Sequence, residues 1–165
     1  MANVRDITTM CKAGQVAEAY EMAKADLVAV PTDVWAQRSV GWALYYMIKN
    51  DSEGGDYAKL LEHIDELKSL DMLTLNNDSM IFDNVQFQIA NFIRNHIQLT
   101  DIEASSKLST FFLKLKDYDF KSSIGHSFLL QSIIKFENWP EIVDFFEWWN
   151  LDNLTQEDYT PYINQ

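Results

Sequence analysis

Three features of the 165-residue sequence predict an all-α fold of antiparallel helical hairpins. Glycine and proline are scarce, with 5 and 3 in the chain, whereas an all-β fold needs turn residues at short intervals. Apolar residues recur every three or four positions through most of the sequence, the period of a helix with one buried face. Short polar clusters separate these stretches, so about eight helices with simple connections are expected and no strand.

The first helix is expected over residues 4–13, with Gly14 ending it. The second covers residues 16–30 and turns Val16, Ala19, Tyr20, Ala23, Leu27 and Val30 to one side. Pro31 stops it, and Thr32 or Asp33 caps the third helix, which carries Trp35, Val40, Leu44, Met47 and Ile48. The polar run Asn50-Asp51-Ser52-Glu53-Gly54-Gly55 reads as a flexible loop. Beyond it, Tyr57, Leu60, Leu61, Ile64, Leu67 and Leu70 form the stripe of a fourth helix.

A loop at Asn76-Asn77-Asp78 precedes the fifth helix, which turns Ile81, Val85, Ile89, Phe92 and Ile93 inward. Thr100-Asp101-Ile102-Glu103 has the spacing of a capping box and is expected to open the sixth helix, which runs to about Leu115. After a polar loop, a seventh helix is expected over residues 123–136. An eighth starts at Asn138-Trp139-Pro140-Glu141 and ends near Trp149. Residues 1–150 are thus expected to form one helical domain, and residues 151–165 a C-terminal tail.

The formal net charge is -12. Nucleic-acid binders neutralise phosphates with Lys and Arg, so direct nucleic-acid binding is not expected. An anionic membrane surface would repel the chain for the same reason, and no apolar run approaches the ~18 residues of a membrane span. The single cysteine, Cys11, cannot form an intramolecular disulfide, and the N-terminus lacks the apolar core of a signal peptide. A cytoplasmic location follows as the expectation.

Gly14, Ala19, Pro31 and Gly41 are spaced by 5, 12 and 10 residues. In this the segment resembles the tetratricopeptide (TPR) repeat, where a small residue lets two helices cross closely and a proline ends the pair. The likeness is good over residues 15–41. It weakens afterwards: Gln37 stands where the repeat has an aromatic residue. Tyr57, Leu60, Ile64 and Leu67, and further on Trp139, Glu141, Ile142 and Phe146, keep the pattern of a second helix. The resemblance implies a short α-solenoid that acts as a non-catalytic scaffold and binds a protein or peptide.

In that family the first helix of each pair faces the concave side, which here implies a groove bordered by Gln37, Arg38 and Tyr45 on the third helix and Asn84, Gln88 and Asn91 on the fifth. The basic set with which some members clamp a carboxylate is missing at the matching positions. Residues 151–165 run past the last expected helix without a capping helix, and in this the chain resembles the N-terminal piece of a longer protein, similar to the helical N-termini of large multidomain bacterial conflict-system proteins. That implies an alternative, an accessory domain of a larger nucleic-acid-processing or defence enzyme.

No catalytic, metal or cofactor site is expected. His63, His96 and His126 fall on separate helices without a partner at zinc-like spacing. Gly54-Gly55 lacks the Lys-Ser/Thr of a phosphate loop. Phe145, Trp148 and Trp149 crowd one helix inside an acidic stretch, which makes them a second candidate docking patch beside the groove.

Overall fold

The computed structural model describes residues 2–70, 81–98, 100–115, 129, 131 and 132. Among them lie six helices and no strand: α1 (Val4–Lys12), α2 (Val16–Ala29), α3 (Val34–Gly54), α4 (Tyr57–Lys68), α5 (Ile81–His96) and α6 (Ala104–Leu115). Leu129, Gln131 and Ser132 are helical as well, inside the stretch expected to form a seventh helix. The rest of that stretch, the loop at residues 76–78, the eighth helix, His126, the tail and the aromatic patch at Phe145, Trp148 and Trp149 lie outside the described residues. The chain forms two compact units that divide between Val85 and Gln86, inside α5.

In the first unit several helix ends have a side-chain or glycine reason. Asn3 accepts the Asp6 amide at 2.8 Å while Asp6 accepts the Asn3 amide, a reciprocal cap that satisfies two orphan donors of α1. Gly14, at φ +88°, ends that helix: Gln15 N–H reaches Met10 O and Gly14 N–H reaches Cys11 O, the paired bonds of a Schellman turn. After α2, Asp33 caps α3 by accepting the Trp35 amide at 2.9 Å. Asp56 does the same for α4 by accepting the Lys59 amide at 3.1 Å.

These short turns fold α1 and α2 onto one another and onto α3, and α3 in turn packs against α4. Ala19 and Ala23 on α2, Gly41 and Ala43 on α3, and Ile7 on α1 are buried, so small side chains sit where three helices converge. From α4, Leu60, Ile64 and Leu67 are fully buried, each contributing about 1.5–3 kcal/mol of transfer free energy.

Two boundaries and one surface differ from expectation. The polar run after Lys49 is helix up to Gly54, and the left-handed turn falls on Gly55 at φ +70°, with Asp56 N–H returned to Asp51 O. Asp51 and Ser52 are buried, so tertiary packing overrides their preference for turns. Val30, expected on the buried face of α2, is exposed at the α2–α3 corner, as is Trp35. In the second unit α6 begins at Ala104, so Glu103 precedes the helix and is not the N3 member of a capping box. The turn there is held by Asp101, whose carboxylate accepts the Gln98 amide at 2.9 Å.

That second unit buries Ile89, Phe92 and Ile93 of α5 with Leu108, Phe111 and Leu115 of α6. The Phe92 and Phe111 rings meet edge to face at 5.6 Å, a favoured aromatic geometry. The apolar positions expected of α5 are all buried, but so are Asp83, Gln86 and Gln88. This helix is covered on more than its apolar side.

Candidate functional site

Of the six groove residues read from sequence, Arg38 and Gln88 are each only 9% exposed. Gln37, Tyr45, Asn84 and Asn91 are half-buried. The three on α3 belong to the first unit with Asn84, and Gln88 and Asn91 belong to the second. Arg38 is buried, and its guanidinium carbon sits 4.7 Å from the indole centroid of Trp35, one turn earlier. Gln37 is oriented by a bond from its Nε2 to Pro31 O at 3.1 Å. Tyr45 stands edge-on to both Trp42, at 5.7 Å, and Tyr46, at 5.0 Å, which makes a row of aromatic edges along α3. These side chains are held by local packing and are available for contact only in part.

The extra turn of α3 creates an arrangement the sequence reading missed. It carries Asp51 to the His63 imidazole of α4, with Oδ2 2.5 Å from Nδ1. Burial pushes the Asp51 carboxyl above its ordinary pKa; the hydrogen bond and charge of His63 act the other way, Asp56 raises it and Lys59 lowers it. Around the pair lies a cavity of about 380 Å³, lined in part by Asn50, Lys59 and Glu62. A second cavity, of about 600 Å³, shares Val16, Ala17 and Asn50 with it and is bordered by Lys12, Tyr46, Lys49 and Glu53.

Cys11 borders the larger cavity, but its thiol is buried and burial pushes its pKa up, which keeps it protonated and weakly nucleophilic. A second polar link joins α2 to α4: the Tyr20 hydroxyl donates to Glu66 Oε1 at 2.6 Å, and the Lys24 ammonium lies 3.6 Å from the same oxygen. Both links tie α4 to the helices before it, so the polar side chains here hold helices together. Among the described residues no three His, Cys, Asp or Glu side chains converge as metal ligands. Among them, too, no helix is long and apolar enough to cross a membrane.

Only one signal could have exposed the Asp51–His63 pair from sequence. Gly55 directly followed by Asp56 is a left-handed stop next to a cap, and it places the end of α3 three residues after Asp51. Compared with models of protein families, with curated proteins and with solved structures, the chain finds no match.

Proposed function

We propose that the chain is a non-catalytic protein-interaction module built of stacked helical hairpins of the TPR-like type. One observation carries the reading: α1 packs against α2 and against α3. The first helix of one hairpin meeting the first helix of the next is the contact by which such hairpins stack. The small buried residues Ala19, Ala23 and Gly41 supply the close approach that this stacking requires. The polar links at Asp51–His63 and Tyr20–Glu66 fit a scaffold, because they fix helices and leave the α3 surface to a partner.

The module works in the cytoplasm, where Cys11 stays a reduced, buried thiol. Its contact side on α3 is Gln37 and Tyr45. The test is capture from native lysate by the wild-type chain and by a Gln37→Ala/Tyr45→Ala variant with unchanged thermal stability. A protein held by the first and lost by the second supports the reading. Equal retention removes this side of α3, and no specific capture by either removes the reading.

A further inference from the structure

Helix α2 is apolar on two opposite sides. The inner side sets Val16, Ala19 and Ala23 into the core. On the outer side Glu18, Glu21, Met22, Ala25 and Val28 all lie exposed, clustered by the helical period about half a turn away. Their order matters: the glutamates occupy the first half of that surface, and Met22, Ala25 and Val28 the second. Val28 is 71% exposed and Met22 44%.

Exposed apolar residues continue along the chain past the end of the helix. A turn closed by Asp33 N–H on Val30 O at 3.0 Å leads straight to Val34 and Trp35, both exposed, with Trp35 at 61%. Single exposed hydrophobic residues are ordinary on a soluble surface, but a run of them ending in a tryptophan marks a contact surface. Trp35 has one face against the Arg38 guanidinium, which steadies the ring and leaves the remainder open. A steadied, exposed tryptophan is the type of side chain that carries binding energy.

We infer that the outer side of α2, extended by Val34 and Trp35, docks an amphipathic helix from a partner protein, with basic residues beside its apolar stripe. The inference rests on the reading of the chain as an interaction module and assigns that module a partner chemistry and a second surface. A helical occupant is indicated by Ala25, whose small side chain between Met22 and Val28 leaves a track along which a helix backbone can approach. Basic flanks are indicated by charge. Glu18 and Glu21 make no ion pair among the described residues, because Lys24, the only lysine of α2, turns to Glu66. The whole chain carries -12, so a second copy brings like charge against this surface, whereas a cationic helix gains from both the local glutamates and the overall field.

The probes are two synthetic amphipathic helices of equal length, one of Leu and Lys and one of Leu and Glu, titrated into the full chain by calorimetry at physiological salt. The Leu/Lys helix binds and the Leu/Glu helix does not. A Met22→Gln/Val28→Gln variant, altered only at exposed positions and shown folded by circular dichroism, binds the Leu/Lys helix about tenfold more weakly or worse. A Glu18→Lys/Glu21→Lys variant lowers its affinity and steepens none of its salt dependence. Equal binding by the Gln variant places the peptide elsewhere on an acidic surface and overturns the inference, as does equal affinity for both peptides. A concentration-dependent dimer abolished by Val28→Gln also overturns it, since the occupant is then a second copy. If these fail while lysate capture still depends on Gln37 and Tyr45, the α2 surface is refuted and the module reading stands.

Discussion

Asp51, in the last turn of α3, places its carboxylate 2.5 Å from the Nδ1 of His63 on α4, and this joins a buried acid to the helix that follows it. The pair exists because α3 runs one turn further than its polar sequence suggests. Its carboxylate is largely removed from water, so its ionised form is costly unless His63 and Lys59 compensate.

The direction of that balance is measurable. The folded-state pKa of Asp51 lies above its ordinary value of 3.8, with burial as the largest cause. A group with a raised folded pKa stabilises fully below its unfolded pKa, and that stability is lost as pH rises through the folded value. The unfolding free energy of wild type minus that of Asp51→Asn therefore becomes more favourable as pH falls from neutral toward 3.8. Urea unfolding across that range checks it, and a difference that declines on acidification contradicts the dominance of burial.

Tyr20 supports α4 from the other direction. Its hydroxyl donates to Glu66 Oε1, while Glu66 Oε2 is buried without a hydrogen-bond partner. Tyr20→Phe thus leaves Glu66 with only the Lys24 ammonium at 3.6 Å and costs about 1–2 kcal/mol, in the range for hydrogen bonds to charged groups at a part-buried site. Burial, then the bond and charge of Glu66, also raise the tyrosine pKa well above 10.0. The stability it contributes is present below pH 10.0 and fades as pH rises through the folded value. Alkaline unfolding of wild type and Tyr20→Phe should converge there.

Ala19 tests the packing of the first hairpin. It is fully buried on α2, a helix that packs against both α1 and α3. Ala19→Leu forces three extra carbons into that contact and should cost about 1–3 kcal/mol by overpacking. The reading is a denaturant midpoint that falls with an unchanged slope. Ala25→Leu, on the exposed side of the same helix, should leave the midpoint nearly where it was.

What the sequence made legible follows from where local chemistry decides structure. Gly14, Pro31 and Asp33 are residues whose own backbone or side chain dictates a helix end, and each acts where the spacing placed it. Helix existence and the inner faces of α4 and α5 followed from periodicity alone. The last turn of α3 did not, because Asn50-Asp51-Ser52-Glu53 has the composition of a loop and becomes helix only when Asp51 and Ser52 are buried. That local error hid the Asp51–His63 pair. The surface residues were harder still: nothing in one-dimensional order distinguishes Arg38, buried beside Trp35, from a solvent-facing arginine. Nor does it show that the second apolar side of α2 stays uncovered, since an apolar residue is by default assigned to a core.

The charge of the whole molecule bears on nucleic-acid binding. Nucleic-acid affinity at physiological salt comes largely from counterions released as Lys and Arg neutralise phosphates. The chain has 13 such residues against 25 acidic ones. Of the cations, Lys24 is turned to Glu66 and Arg38 is buried beside Trp35, which reduces further what the first unit can offer a phosphate backbone. Lys12 and Lys49 border one cavity, but Glu53 borders it with them. The isolated chain is therefore expected to leave labelled single- and double-stranded DNA and RNA unbound at physiological salt, with no change in fluorescence anisotropy up to high micromolar protein. Weak association that appears only at low salt fits the same picture, because screening lengthens there and any local patch is exaggerated. Saturable, salt-sensitive binding at physiological ionic strength contradicts it. Such binding would favour a role beside a nucleic-acid-processing enzyme over that of a protein-binding scaffold.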